Sequence, residues 1–331
     1  MATNLITLTT KPTAQLSYTF YPPSTSIPSS TPATTPQTLL IFLNGLAAPQ
    51  TSWTPVIQLL QTTRTNLNLP LPAILTYDRF GQGQTLSRDP LDADAPDPSH
   101  GHDILSALAD LHQLILQIAQ SHLNLTEPNP QTLQIIFTAN SIGCALARLY
   151  AQTYPGTVSA LLLLDHVLAN SDFVSIFPDP ATFTPSTPLP AGITPQDVAI
   201  ARGIASKIFH PSVGNKEGLS RRNLASLLPD SDGPRLTAPG GKGPWVTVVG
   251  HDMTAFAEES VKMSGGRVSG RVFEEYLTPT WAEYNRGLLG VTDAERGRGP
   301  MVAEGSGHVV QLGNPGVVVR ELGGLLERVL H

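Results

Sequence analysis

Ser141, in the run Ala139-Asn140-Ser141-Ile142-Gly143, has the surroundings of an activated nucleophile. The apolar run Leu133-Gln134-Ile135-Ile136-Phe137-Thr138 ends just before it, and Cys144-Ala145-Leu146-Ala147-Arg148-Leu149-Tyr150 follows with a helical pattern. A serine at a strand-to-helix turn projects its hydroxyl above the sheet edge, the arrangement called a nucleophile elbow. The turn is so tight that side chains two before and two after the serine would collide. The small Ala139 and Gly143 remove that clash, although Ala139 stands where glycine is usual. A serine of this kind needs a histidine to take its proton and an acid to orient that histidine.

The elements that must position such groups are legible as apolar runs. Leu5–Leu8, Leu16–Tyr21, Leu39–Leu43, Ala73–Tyr77, Gln134–Thr138, Ala160–Leu164, Val246–Val249 and Met301–Ala303 read as eight strands, several of them apolar throughout, as in a parallel sheet covered on both faces. His102–Leu123 carries Ile104, Leu108, Leu111, Ile115 and Ile118 on one helical face, and Val318, Leu322, Leu325, Leu326 and Val329 do the same at the C-terminus. Strands alternating with helices predict an α/β fold with a mainly parallel sheet. Two stretches interrupt the alternation. Residues 167–243, with short helical pieces at Pro195–Phe209 and Ser220–Leu228, read as a lid inserted after the sixth strand into a core of residues 1–166 and 244–331. A smaller insertion runs from about Lys262 to Arg298, and the Ser/Thr/Pro stretch from Pro22 to Pro36 reads as a surface loop.

In such a sheet, ligands bind beyond the carboxyl ends of the strands. Asn44-Gly45-Leu46 follows the third strand, Asp78-Arg79-Phe80-Gly81-Gln82-Gly83 the fourth and Ser141 the fifth. Asp165 follows the sixth, His251-Asp252 the seventh and Gly305-Ser306-Gly307-His308 the last. The chain order serine, acid, histidine is that of an α/β-hydrolase triad. On the segments FLNGLAAPQTSW, TYDRFGQGQT, ANSIGCALARLYAQTYP and GSGHVVQLGNP, in that order, the chain resembles the lid-bearing α/β-hydrolase superfamily over nearly its whole length. It looks most like members of the type common in fungi.

The resemblance implies Ser141 as nucleophile, His308 as general base and Asp252 as the acid that orients it, with Asp165 as the alternative acid. It implies an oxyanion hole built from the backbone N–H groups of Leu46 and Ile142. Asn44, where many relatives carry histidine, and the aromatics Phe173, Phe177, Phe209, Trp281 and Tyr284 are the candidate lining of an apolar pocket; packing of the insertions onto the core is the other reading of the aromatics. Asp78-Arg79 reads as turn stabilisation. His100, Gly101, His102 and Asp103 read as a helix start capped by Ser99 or Asp103, not as a metal site.

Composition narrows the remaining classes. A net charge of −6 without a dense basic cluster excludes a nucleic-acid partner, and the single Cys144, read as a buried thiol, excludes an internal disulfide and a cysteine-built metal site. No start with basic residues followed by an apolar run marks a signal peptide, and no run is long and apolar enough to span a membrane, so a cytoplasmic monomer or homodimer is expected. The predicted activity is hydrolysis of a small or medium apolar carboxylic ester or lactone through an acyl-enzyme on Ser141, with no cofactor or metal and a small-molecule substrate. The lid has no charged cluster, which argues against a strongly anionic one. Aspartate at position 141 would have pointed to epoxide or haloalkane chemistry. The alternatives are a ligand-binding or receptor-like protein of the same fold, or C–C hydrolysis, acyl transfer or peptidase chemistry on the same triad.

Overall fold

All eight apolar runs are strands of one sheet in the computed structural model, which describes residues 3–24 and 36–330. They are β1 (Asn4–Thr7), β2 (Gln15–Tyr21), β3 (Gln37–Leu43), β4 (Ala73–Asp78), β5 (Leu133–Asn140), β6 (Val158–Leu164), β7 (Trp245–His251) and β8 (Gly297–Ala303). The spatial order is β1-β2-β4-β3-β5-β6-β7-β8, with β1 and β2 antiparallel to their neighbours and every other pairing parallel. Most of the Pro22–Pro36 stretch lies outside the described residues.

The apolar runs are continuous because both faces are covered. Leu39, Ile41 and Leu43 of β3 pack with α2 (Ile104–Leu123) and α3 (Ile142–Thr153), whereas Leu40 and Phe42 pack with α1 (Thr54–Asn66) and α7 (Pro315–Leu330). The period-2 alternation of a strand thus sends successive side chains into two separate cores. Asp103 caps α2 by accepting from the Leu105 and Ser106 amides, as expected of that histidine-rich start.

Residues 167–243 between β6 and β7 hold α4 (Pro195–Ile204), a wide helical turn at Ala205–Phe209 and a single turn at Leu224–Leu227. Ser220–Leu228 is therefore helical only at its end; Leu219–Ser220 instead pairs with His102–Asp103. The cover after β7 starts earlier than Lys262. It comprises α5 (Met253–Met263), a turn at Gly270–Val272, a wide turn at Phe273–Leu277 and α6 (Thr278–Gly287). No helix of the described residues is long and apolar enough to cross a membrane.

The strand order reverses beside β3, which leads to β4 on one side and touches β5 on the other. Such a switch point opens a crevice at the carboxyl end of the sheet. Leu43 is paired with Ala139, so Asn44-Gly45-Leu46 and Asn140-Ser141-Ile142 leave adjacent strands at the same level.

Candidate active site

Ser141 has φ 57° and ψ −124°, a conformation that L-residues other than glycine rarely adopt. Its strain is held by hydrogen bonds on both sides: its N–H donates to the Leu164 carbonyl (3.1 Å), and its own carbonyl accepts from Cys144 (3.0 Å) and Val167 (3.3 Å). A Cβ at position 143 would lie 2.5 Å from the Leu43 carbonyl oxygen and 2.8 Å from that of Asn44, so only glycine lets α3 begin against β3. Ala139 is fully buried, and its carbonyl accepts from the Cys144 thiol at 3.1 Å. Burial pushes that thiol well above the usual range, keeping it protonated.

His308 is 30% exposed at its side chain, whereas its partner Asp165 is fully buried. The ring Nδ1–H donates to Asp165 Oδ2 at 2.6 Å, which leaves Nε2 as the free ring nitrogen. Two contacts fix the backbone of His308: its N–H donates to Glu259 Oε2 (3.1 Å), and its carbonyl accepts from Asn140 Nδ2 (2.9 Å). Asp252, the acid expected from the sequence, makes no such contact. Its carboxylate caps α5, accepting from the Thr254 (2.9 Å) and Ala255 (3.1 Å) amides, and also accepts from Gly305 N–H (3.2 Å). Those backbone donors hold its pKa below the ordinary carboxylate range; Oδ1 is committed to the helix end and Oδ2 to the Gly305 N–H. The alternative acid, Asp165, is the one that meets His308. A second ring reaches it as well: His251 Nδ1 lies 2.9 Å from Oδ1 and 3.0 Å from Oδ2.

Among the described residues, neither the Leu46 nor the Ile142 backbone N–H has a hydrogen-bond partner. The Asn44–Ala47 turn that carries Leu46 is clamped from below. Arg79 donates to the Asn44 (2.9 Å) and Gly45 (2.8 Å) carbonyls, and its Nε donates to Glu217 Oε2 at 3.0 Å. Glu217 in turn accepts from the Ala47 amide and from Gln82 Nε2. Asn44 lies inside this clamp, donating to the Tyr77 carbonyl and Gln82 Oε1 and accepting from Trp53 Nε1. It is a buried turn residue and does not line the pocket, contrary to expectation. Asp78 and Arg79 do stabilise turns, Asp78 through the Gln50 and Gln84 amides.

Ser141, His308, Leu46 and Ile142 all line one cavity of about 320 Å³. No hydrogen bond joins the Ser141 hydroxyl to His308; such contacts tighten when substrate binds. Phe173, Phe209 and Trp281 line the cavity as expected. Phe177 and Tyr284 do not: Phe177 packs edge-on to Phe273, and the Tyr284 hydroxyl accepts from Arg148 behind the nucleophile helix. The segment after β7 supplies Phe256, Glu259, Ser260, Met263, Phe273, Leu277 and Trp281, more of the wall than residues 167–243 give. A wider, shallower hollow of about 750 Å³ near Ser87, Asp89 and Asp92 contains none of these groups. Among the described residues no group of three or more His, Cys, Asp or Glu side chains could hold a metal ion.

A sequence profile described as "Alpha/beta hydrolase family" matches residues 40–321. The chain belongs to the alpha/beta hydrolase family. No curated protein matches it in a sequence comparison. Among solved structures, a mutant epoxide hydrolase from Vigna radiata is similar with a TM-score of 0.53 at 12% identity, over 99% of this chain and 98% of that one. An epoxide hydrolase from the same organism gives 0.51 at 14% identity, with the same coverage. A protein described as a lipase, from Acinetobacter baumannii AYE, gives 0.50 at 15% identity over 99% of this chain and 91% of that one. At these identities the likeness shows the alpha/beta hydrolase fold and no more. Glu217, Glu259, Asn140 and His251, with the wall residues Phe256, Met263, Phe273 and Leu277, are among the residues of this hydrolase site that the sequence did not single out as site residues.

Proposed function

We propose that the chain is a serine hydrolase that cleaves a small or medium apolar carboxylic ester or lactone through an acyl-enzyme on Ser141. One observation carries this reading: Ser141 and His308 face a single apolar cavity, and Asp165 holds His308 from behind. In the proposed cycle His308 Nε2 takes the Ser141 proton as Oγ adds to the carbonyl carbon. The N–H groups of Leu46 and Ile142 receive the developing oxyanion, a contribution worth on the order of 10²–10³ in rate per donor. Collapse of the adduct breaks the C–O bond, and His308 returns the proton to the departing alcohol. Water, deprotonated by the same histidine, then cleaves the acyl-enzyme and restores the Ser141 hydroxyl. With a lactone, acid and alcohol remain on one molecule, and the product is a hydroxy acid.

Asp165 takes the orienting role in place of Asp252 in this scheme. Burial alone would raise its pKa, but the hydrogen bonds from His251 and His308 outweigh that and hold it below the ordinary carboxylate range. It is thus ionised whenever His308 must carry a proton. The cavity volume of about 320 Å³ is near the lower end of the roughly 300–1,000 Å³ usual for small-molecule sites, which favours short or medium acyl groups. Residues 167–243 act as the lid over this cavity, shared with the cover after β7. Serine at position 141 argues against epoxide opening by a carboxylate nucleophile.

A panel of p-nitrophenyl esters of increasing acyl length, with aliphatic lactones alongside, tests the proposal. Turnover that peaks at short or medium chains and disappears in Ser141→Ala is expected. Binding of these compounds without turnover by the folded protein would replace the proposal with a ligand-binding role.

A further inference from the structure

We infer that His251 is a positioning residue for the Asp165–His308 pair, making the site a chain of four groups: Ser141, His308, Asp165 and His251. The inference rests on the serine-hydrolase reading of the same site, and it concerns how Asp165 is held.

A carboxylate with no access to water needs donors on both oxygens. His308 Nδ1 serves Oδ2 at 2.6 Å. The other oxygen, Oδ1, receives the His251 ring Nδ1–H at 2.9 Å and, more weakly, the His251 backbone N–H at 3.3 Å. Among the described residues no further donor reaches this carboxylate. The strand register produces the contact: Leu164 is paired with Val249, and Asp165 N–H donates to the Val249 carbonyl at 2.7 Å. His251, the last residue of β7 and two beyond Val249, therefore arrives beside Asp165.

The His251 ring is fixed on its other sides. It stacks on Phe256, with centroids 4.1 Å apart and 19° between planes, and meets Trp281 edge-on at 5.5 Å. The same indole lies 5.3 Å from the His308 ring, and its Nε1–H is anchored on the His166 carbonyl. Both imidazoles thus bear on one buried wall. His308 lines the cavity with Ser141 and His251 does not, which separates the general base from the positioning residue.

With Nδ1–H held by both carboxylate oxygens, His251 sets the plane of Asp165 and keeps Oδ2 aimed at His308 Nδ1. That contact selects the His308 tautomer whose Nε2 accepts the serine proton. Loss of His251 leaves Oδ1 without a side-chain donor and the carboxylate free to turn away from His308. The other ionisable groups around the pair are Asp252, tied to the start of α5, and Glu259, at the His308 amide. Cys144 and His166 are buried within electrostatic reach of Asp165, and Arg148 within reach of both.

Proton NMR of the His308 Nδ1–H resonance in wild type, His251→Phe and His251→Asn tests this. Phenylalanine keeps a flat ring for the stack, whereas the asparagine amide restores a donor close to the Nδ1 position. A downfield Nδ1–H signal from the short Asp165–His308 hydrogen bond is expected in wild type, lost in His251→Phe and recovered in His251→Asn. With the preferred ester, kcat should fall in His251→Phe with KM unchanged, and recover in His251→Asn. An unchanged His308 signal in folded His251→Phe, or asparagine behaving like phenylalanine, would overturn the inference. If His251→Phe does not fold, His251→Gln, whose amide sits one methylene farther out, takes its place with the same expected loss. The signal needs no turnover. Its loss in His251→Phe of a protein without esterase activity would refute the proposed reaction and leave the positioning role standing.

Discussion

Asp165 Oδ2 accepts a 2.6 Å hydrogen bond from His308 Nδ1 across 143 positions of sequence. The contact joins the end of β6 to the loop after β8, spanning β7 in the sheet order. Asn140 reinforces it from the nucleophile side, donating to both the Leu164 and His308 carbonyls. Three strand ends are thereby fixed to one another, the kind of preorganisation that the proposed acyl transfer would use.

Removing the charge from Asp165 should be far worse than removing Asp252. Asp165→Asn leaves the packing intact but favours the wrong His308 tautomer, and kcat should fall by about 10³–10⁴ with KM little changed. Asp252→Ala should cost about 1 kcal/mol through loss of the α5 cap, with kcat close to wild type. Steady-state kinetics and thermal unfolding of the two variants check this; the opposite ranking in kcat would return the acid role to Asp252.

The eight strands and the main helices were legible because a sheet covered on both faces demands continuous apolar runs, as in Ala160-Leu161-Leu162-Leu163-Leu164. That Ser141 and His308 reach one sheet edge was legible because each sits in a turn of constrained composition at a strand end. The carboxylate that meets His308 was not. Leu164-Asp165-His166 and His251-Asp252-Met253 are both aspartates after apolar strands, and the difference lies in which one is consumed by a helix end. Asp252 is followed at once by α5, and its Oδ1 satisfies two first-turn amides of that helix. Glu217 and Glu259 were illegible for another reason: their roles come from approach across 170 positions to Ala47 and 49 positions to His308, which no local pattern records. Asn44 was misplaced because its position in the turn suggested the pocket, whereas its side chain points into the clamp.

The clamp beneath Leu46 predicts a coupled loss of stability and rate. Glu217→Ala leaves the buried Arg79 guanidinium without its carboxylate, a change that typically costs about 3–5 kcal/mol. The Ala47 amide also loses its acceptor, so the turn loosens and kcat should drop more than KM rises. Urea unfolding with kinetics on the preferred ester checks both; unchanged kcat in a destabilised variant would separate the clamp from the proposed oxyanion hole.

Asp110 predicts an unusual pH dependence away from the site. Burial raises its pKa to about 6, even though Lys11 at 2.7 Å works against the shift. Between the unfolded value near 3.9 and the folded value, the folded protein holds a proton that the unfolded chain has lost. Stability from this group is therefore present at pH 4 and declines as pH rises through 6, by up to about 3 kcal/mol. Asp110→Asn cannot titrate. The stability of wild type relative to Asp110→Asn should be greatest at pH 4 and shrink by pH 7 in urea unfolding. A difference that stays constant over that interval would rule out the shift.

Phe209 sets part of the cavity wall from the segment between β6 and β7. Phe209→Ala should move the preferred acyl chain to longer esters, reducing turnover of short ones through weaker packing, with little change in the pH profile. A chain-length series compared with wild type checks it, and an unchanged optimum would mean that the acyl group lies elsewhere.

The most direct measurement is covalent labelling by an alkyl fluorophosphonate, read by intact mass and peptide mapping. One adduct on Ser141 in wild type, none in Ser141→Ala, and much slower labelling in His308→Ala and Asp165→Asn than in Asp252→Ala is the predicted result. Folded wild-type protein that takes no label, or label that persists in Ser141→Ala, would contradict a serine nucleophile at the β5–α3 turn.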